Sequence, residues 1–177
     1  MSDNILVAVR LRPLIQREVT DNSAIHWQLG EGNTLIQIDP HTRKALCPPY
    51  KFDRVFGMDY ENADIFFEVA QGIVESALAG FNGTIFAYGQ TSSGKTYTMM
   101  GEKSSPGIIP LAIQNIFNSI EKNNPDREYL ISAFVNFRDS KLTRILQSSL
   151  GGNAKTAIVC NVTPVGIDQT HSTLSTE

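Results

Sequence analysis

Eight residues near the middle of the chain have the types and spacing of a loop that binds phosphate groups. Residues 89–96 read GQTSSGKT, which fits the pattern of Gly, four residues and then Gly-Lys-Thr. The two glycines permit backbone angles and a close approach that side chains would block, and successive N–H groups then face an anion. The predicted phosphate-binding residues are Gly89, Gln90, Thr91, Ser92, Ser93, Gly94, Lys95 and Thr96. In such a loop Lys95 adds a full positive charge, and the Thr96 hydroxyl is a ligand for Mg²⁺.

The residues on either side predict the strand and the helix that such a loop requires. Residues 83–88, GTIFAY, are an apolar run after an Asn-Gly turn signal, and they predict a strand that leads into the loop. Lys95 then begins a helix whose N-terminus directs positive partial charge at the phosphates. The alternative is an ordinary Gly/Ser-rich turn between a strand and a helix, which this context disfavours.

The rest of the chain alternates between strand and helix patterns. Strands are predicted over 5–13, 34–39, 50–56, 127–134 and 155–164, and helices over 61–81, 109–122 and 139–152. The first strand is expected to be buried on both faces near its start. Asn62 is the predicted N-cap of the first helix and Gly80 its predicted end. The alternation favours an α/β fold with a mostly parallel sheet.

Composition excludes several classes of protein. The 177 residues suit one globular domain, and 15 basic against 18 acidic residues give a net charge of −3, which argues against a nucleic-acid binder. Two cysteines make no disulfide framework and favour a reduced, cytoplasmic setting. The three histidines show no metal-ligand spacing, and no apolar run approaches the length that spans a membrane. We therefore expect neither a nucleic-acid nor a membrane partner.

A carboxylate that would hold Mg²⁺ at the end of a later strand is not found. The runs 127–134 and 155–164 end without an acid, and Asp39, the only acid at a strand end, lies upstream beside a proline. Asp53 is interpreted as a structural turn partner. The pattern thus predicts nucleotide binding and leaves the catalytic residues unknown.

Several motifs together resemble the kinesin motor domain. VRLRP (9–13) resembles the family's R-x-R-P motif, YKFDRVF (50–56) its F-x-F-D-x-V-F segment, and residues 80–101 its phosphate-loop signature. GIIPLAI (107–113) resembles the following helix start, and residues 135–164 resemble the late helix and the strand after it. TYTMMG and PDREYL are similar to the centromere-protein-E branch. The resemblance implies a P-loop NTPase three-layer sandwich of the kinesin motor type, which binds ATP or ADP with Mg²⁺ and acts on microtubules of the cytoskeleton, including the spindle or kinetochore.

The resemblance also implies roles for individual residues. Arg10 and Pro13 would flank the adenine, with Tyr97 on its other side, and the phosphate loop would hold the phosphates. Arg138, Lys141 and Arg144 would face the microtubule; they belong to a local basic patch over residues 138–155. The alternatives are that Arg10 and Arg12 end a strand in solvent, that Tyr97 only packs, and that the basic residues form an ordinary solvated helix face.

The chain departs from the kinesin pattern near residues 132–136. The family's long segment with both switches, including the acid missing above, is skipped there. We therefore expect one partial motor domain over 1–177, with 1–132 carrying the loop, 133–164 the late helix and strand, and 165–177 a flexible tail. Hydrolysis is expected to be impaired or absent. The alternatives are a non-functional fragment or incomplete gene model, and another P-loop enzyme such as a small-molecule kinase, which the late position of the loop disfavours.

Overall fold

The computed structural model of the chain describes residues 5–122, 132 and 154–175. In chain order its elements are β1 (Ile5–Leu11), α1 (Gln16–Thr20), β2 (Trp27–Gly30), β3 (Thr34–Gln37), β4 (Tyr50–Lys51), β5 (Arg54–Phe56), α2 (Asn62–Ile65), a π-helical turn (Phe66–Ala70), α3 (Gln71–Leu78), β6 (Asn82–Tyr88), α4 (Lys95–Met99), β7 (Gly101–Glu102), β8 (Ser105–Pro106), α5 (Ile108–Lys122), β9 (Ala154–Val162) and α6 (Asp168–Leu174). Strands and helices therefore alternate through most of these ranges.

Within the described residues the main sheet has four parallel strands in the order β5–β1–β9–β6. The last of the described strands, β9, lies between β1 and β6, the strand that leads into the phosphate loop. Arg10 is opposite Asn161 in this register, and Tyr88 is opposite Cys160. Because the strands are parallel, the C-terminal ends of β1, β6 and β9 meet at one edge, which is where parallel sheets form binding sites.

Alternate residues of the central strands pack in two directions. Ala8, Ala157 and Val159 pack with the helical segment 62–78 and with α5 on one face. Val9 and Val162 pack on the other face with the antiparallel sheet β2–β3–β4, called the small sheet below, and with Leu174 of α6. The described residues thus form a parallel sheet covered on both faces, which agrees with the predicted α/β class.

The structure differs from four local predictions. Residues 50–56 form two short strands in different sheets, because the Asp53 carboxylate accepts a hydrogen bond from the Val7 amide (2.8 Å) and ties β5 to β1. The turn role predicted for Asp53 agrees with that bond. Glu61, not Asn62, is the N-cap of α2 and shares a capping box with Asp64. Burial along β1 increases towards its C-terminal end rather than its start.

The fourth difference concerns residues 165–177, which are predicted to be flexible. Residues Asp168–Leu174 instead form α6, and Thr170 and Thr173 in it are buried. The short polar pattern gives no helical apolar stripe, so its anchoring depends on tertiary contacts that a local reading does not contain. The predicted strand 127–134, apart from residue 132, and the predicted helix 139–152 lie outside the described residues.

Candidate nucleotide-binding site

The predicted phosphate loop connects the end of β6 to the start of α4. Its backbone takes left-handed angles at Gly89 (φ +142°), Ser92 (φ +64°) and Gly94 (φ +100°). A Cβ at position 89 would lie 2.2 Å from the backbone oxygen of Asn161 in β9. The loop therefore passes so close to the neighbouring strand that only glycine fits at its first position.

Two side chains of the loop, those of Lys95 and Ser93, donate hydrogen bonds to backbone oxygens of the same loop. The Lys95 ammonium group donates hydrogen bonds to the backbone oxygens of Gly89 (2.8 Å) and Gln90 (2.6 Å). The hydroxyl of the buried Ser93 also donates to the Gln90 oxygen (2.8 Å). The first two residues of the loop therefore lie against the Lys95 ammonium group. Thr91, Ser92 and Thr96 are exposed to solvent. A curled backbone with a lysine at its centre has the charge that a phosphate group needs.

Arg12, which the sequence did not predict to be a site residue, contacts this loop from the end of β1. Its Nε donates to the backbone oxygen of Ser92 (3.0 Å), and its other two nitrogens donate to the Glu18 carboxylate (2.6 and 2.7 Å). The bonds from Arg12 hold the pKa of Glu18 below its usual value, and the Ile15 amide adds to the effect. Arg12 follows the end of a strand in a parallel sheet, and that position was a signal that could have identified it.

Arg10 is buried beneath α4 and is only 3% exposed. One guanidinium nitrogen donates to the side-chain oxygens of Asn62 (2.6 Å) and Thr98 (2.8 Å), and the guanidinium carbon lies 5.2 Å from the centre of the Tyr97 ring. Thr98 in turn donates to the Asn161 side chain (2.6 Å). The alternative in which Arg10 and Arg12 end a strand in solvent is therefore wrong.

The other predicted residues differ in how closely they approach the loop. Tyr97 is 40% exposed, and Pro13 and Thr96 are also exposed. Residues 89–97 form the loop and the start of α4. Arg12, which donates to the Ser92 oxygen in this loop, also donates to the Pro13 oxygen (2.8 Å) and so connects Pro13 to it. Direct contact of Arg10, Pro13 or Tyr97 with an adenine stays a prediction. Arg138, Lys141 and Arg144 lie outside the described residues.

A cavity of about 330 Å³ adjoins the first residues of the loop. Gly89 and Gln90 line one side of it, and Asp168 and Ser172 of α6 line the other. The Gln90 amide donates to the Thr163 hydroxyl (3.2 Å), which fixes the start of the loop against the segment after β9. The C-terminal helix is thus part of the surroundings of the loop.

Acidic groups that could hold a metal are not gathered in the part of the chain that the structure describes. No cluster of three or more His, Cys, Asp or Glu side chains occurs within it. The Asp39 carboxylate accepts hydrogen bonds from the His41 and Thr42 amides and from the Thr42 hydroxyl. These bonds, chiefly those from Thr42, lower the pKa of Asp39. Asp39 therefore closes a turn of the small sheet, and Thr96 remains the candidate metal ligand.

A parallel sheet whose β6 strand runs through a Gly-rich loop into a helix that begins with Lys-Thr defines an α/β protein of the P-loop class. The family model of the kinesin motor domain matches residues 10–134 and 128–176 of this chain. Because the two matches cover most of the chain, it belongs to the kinesin motor domain family. Within the described residues, no helix is long and apolar enough to cross a membrane.

Individual relatives agree with this assignment. The chain is 45% identical over 131 residues to the kinesin-like protein KIN-7C, mitochondrial, of Arabidopsis thaliana, a match that covers 74% of this chain and 14% of that protein. It is 37% identical over 155 residues to kinesin-related protein 4 of Dictyostelium discoideum, covering 87% and 8%. It is 40% identical over 145 residues to human centromere-associated protein E, covering 80% and 5%. The chain thus spans a small part of the length of these relatives, and the resemblance to the centromere-protein-E branch agrees with the third match.

Proposed function

We propose that this chain binds ADP or ATP with Mg²⁺ through Gly89–Thr96. The observation that carries the proposal is the position of Lys95, whose ammonium group lies against the backbone oxygens of Gly89 and Gln90. Because Gly89 has no Cβ and Gly94 has a left-handed backbone, the loop is narrow and curved, and this shape suits a phosphate chain. Membership of the kinesin motor family supports nucleotide as the ligand.

The residues present also fit the metal that accompanies a nucleotide. Thr96 is exposed directly after Lys95 and would hold Mg²⁺ through its hydroxyl oxygen. A bound Mg²⁺ ion would neutralise charge on the phosphates. Tyr97 and Pro13, both exposed near the loop, would flank the base.

Replacing Lys95 tests nucleotide binding directly. We expect Lys95→Ala to weaken MgADP binding about 10- to 100-fold, since a hydrogen bond to a charged group contributes about 1.5–3 kcal/mol. Isothermal titration calorimetry of both proteins measures this. Lys44→Ala, which removes an exposed lysine of the small sheet's loop, is the matched control and should leave the affinity unchanged. Equal affinities of the wild type and Lys95→Ala would refute the proposal.

A second surface is proposed on the basic residues of the late segment. Arg138, Lys141 and Arg144 would contact the microtubule, as the family resemblance implies. Residues 138–155 contain four basic residues and one acidic residue in a chain whose net charge is −3, which supports a local surface for an acidic partner. The names of two of the reported relatives point to different places, mitochondria and the centromere. A location on the microtubule cytoskeleton of the cytoplasm is therefore proposed from the family alone.

We also propose that hydrolysis by this chain is slow or absent. Phosphoryl transfer requires the metal and the attacking water to be held in position as well as the phosphates. No acid at the end of a later strand was found in the sequence, and the family model matches in two segments that overlap over residues 128–134. Both observations support a skipped switch segment and one partial motor domain. A fragment without activity of its own remains the alternative.

Co-sedimentation with microtubules tests the surface and the turnover together. We expect weak binding that falls further in 0.3 M salt and in the triple Ala variant at positions 138, 141 and 144, because contacts between exposed charges are screened by salt. Residual ATP turnover, measured on the same samples, should not rise with microtubules. Binding unchanged in the triple variant would contradict the surface. Strong stimulation of turnover would contradict the proposed loss of hydrolysis.

A further inference from the structure

Ser92, inside the phosphate loop, has a left-handed backbone (φ +64°) although it is not a glycine. This conformation is unfavourable for a residue with a Cβ, and such strain persists only where surrounding contacts maintain it. The Ser92 side chain is exposed to solvent, so its burial does not maintain the conformation. The Ser92 backbone oxygen accepts a hydrogen bond from the Nε of Arg12 (3.0 Å). A residue at the end of β1 therefore contacts the strained point of the loop.

Arg12 also contacts the loop at a second left-handed residue. A Cβ at Gly94 (φ +100°) would lie 3.7 Å from the Arg12 Cβ and 3.9 Å from the Arg12 Cδ, so the aliphatic part of Arg12 lies beside Gly94. Arg12 is largely buried in this position, at 8% exposed. One side chain thus bonds to Ser92 and packs beside Gly94, the two left-handed residues nearest to Lys95.

Glu18 of α1 fixes the direction of the Arg12 guanidinium group. Its carboxylate accepts hydrogen bonds from the two terminal nitrogens (2.6 and 2.7 Å) and is itself held by the Ile15 amide (3.0 Å). One of these nitrogens also donates to the Pro13 oxygen (2.8 Å). Four of the five N–H groups of Arg12 are therefore engaged by the protein itself. The guanidinium group is placed to hold the loop and not to bind a phosphate group.

We propose that the Arg12–Glu18 pair is a clamp that holds Ser92 in its left-handed conformation and so keeps the phosphate loop in its curved shape before a ligand arrives. The inference rests on the proposed nucleotide site, and both members of the clamp are positioning residues. A loop that is fixed before binding loses less conformational freedom when a phosphate chain enters it. Because the clamp acts on the loop backbone, every ligand with a phosphate chain should depend on it equally.

A role through charge alone would have the opposite consequence. If the pair acted only by its charges, removing the Glu18 carboxylate would leave the Arg12 cation uncompensated near the phosphates, and anions would bind more tightly. If the pair is a clamp, the same change loosens Arg12, and anions bind more weakly. The sign of the change in affinity therefore separates the two roles.

The experiment measures the affinities of MgADP and magnesium pyrophosphate by calorimetry on the full chain. For Glu18→Gln we expect both affinities to fall about three- to tenfold, which corresponds to about 0.7–1.4 kcal/mol. Asp21→Asn removes the same charge from an exposed pair with Arg17 and is the matched control, which should leave both affinities within about twofold. Unchanged or tighter binding by Glu18→Gln, or a loss confined to MgADP, would overturn the clamp.

Ser92→Gly identifies the point at which the clamp acts. Glycine adopts the left-handed conformation without a steric cost, so the loop no longer needs to be held there. Relative to Ser92→Gly alone, adding Glu18→Gln should lower both affinities by less than about twofold. An equal loss with and without Ser92→Gly would show that the pair acts at another point, and would overturn the proposal.

A charge-conserving variant keeps the test decisive if Glu18→Gln does not fold. Arg12→Lys retains the cation but lacks the planar fork that bonds to Glu18 and Ser92 at once. We expect the same loss of about three- to tenfold for both ligands, again abolished by Ser92→Gly. Unchanged affinities in Arg12→Lys would equally overturn the clamp. A wild-type chain that binds neither ligand would instead remove the proposed nucleotide site, and the inference with it.

Discussion

The phosphate loop and the small antiparallel sheet are held in place by different kinds of contact. Around the loop, Arg10, Thr98 and Asn161 form a buried chain of hydrogen bonds, and Arg12 pairs with Glu18. In the small sheet, aromatic packing dominates. Polar networks fix geometry with modest net stability, whereas buried aromatic rings contribute large apolar areas. We therefore expect substitutions near the loop to alter binding first and substitutions in the small sheet to alter stability first.

The aromatic cluster of the small sheet also holds the C-terminal helix. The fully buried Trp27 donates from its indole nitrogen to the Gly166 oxygen (2.9 Å), and its ring lies edge-on to His171 at 5.1 Å. The two ring nitrogens of His171 are hydrogen-bonded to the Tyr50 hydroxyl (2.8 Å) and the Gln37 side chain (2.9 Å). One histidine thus joins β3, β4 and α6, which is why the C-terminal segment is ordered in spite of its polar sequence.

The largest effect is expected for Trp27→Ala. Removing a fully buried indole should lower the free energy of unfolding by about 3–5 kcal/mol, because it leaves a cavity and an unpaired Gly166 oxygen. Urea unfolding measures the change, and MgADP affinity, measured at low temperature where the variant is folded, should stay within about twofold. Trp27→Phe keeps a ring and should cost less. A large loss of affinity in the folded variant would show that the two regions are coupled.

The second effect is expected for Gly89→Ala, which acts on the loop. A Cβ there would collide with the Asn161 oxygen in a backbone conformation that suits glycine, so the loop must move. We expect MgADP affinity to fall at least about tenfold, with a stability loss of about 1–3 kcal/mol from backbone strain.

Gly72→Ala is the matched control for this substitution, because a Cβ at that position of α3 would meet no atom within 4 Å apart from its chain neighbours and the adjacent backbone of its own helix. It should stabilise the protein by about 0.5–1 kcal/mol, since glycine is unfavourable inside a helix. Affinity is expected to be unchanged in the control. If Gly89→Ala lowers stability and leaves the affinity intact, the loop does not bind the nucleotide as proposed.

The sequence predicted the elements that carry local signals. GTIFAY followed by a Gly-rich loop identified β6, the loop and the start of α4, and the apolar spacing after Ile109 identified α5. These predictions succeeded because strand, turn and helix each have a pattern within a few neighbouring residues. The α/β class followed from their alternation.

Contacts between distant residues could not be predicted in the same way. Asn62 was predicted as a helix cap, yet its side chain reaches Arg10 and the backbone oxygens of Tyr97 and Ser105, all far away in sequence. Arg12 likewise acquires its place beside Ser92 only when β1 and β6 are brought together around β9. Such roles depend on strand order, which the pattern of a single segment does not contain.

The smallest effect is expected for the Arg12–Glu18 pair, which tests whether a polar contact beside the loop also contributes to stability. Both side chains are largely buried, at 10% and 12% exposed, and they lie 2.6 Å apart. Glu18→Gln should lower the free energy of unfolding at pH 7 by about 1 kcal/mol, because it removes the charge that Arg12 contacts in two places. Asp21→Asn, in an exposed pair with Arg17 at 3.5 Å, is the control and should change stability by less than about 0.5 kcal/mol.

The pH dependence of this difference follows from the sign of the pKa shift. Arg12 lowers the pKa of Glu18 in the folded chain, so the carboxylate binds a proton more readily in the unfolded chain. Its contribution is therefore complete above the unfolded value of about 4.3 and is lost as the pH falls through the lower folded value. Urea unfolding from pH 7 to pH 3 should show the wild type and Glu18→Gln converging at the acidic end. A difference that stays constant down to pH 3 would mean that the charge on Glu18 is not what stabilises the contact with Arg12.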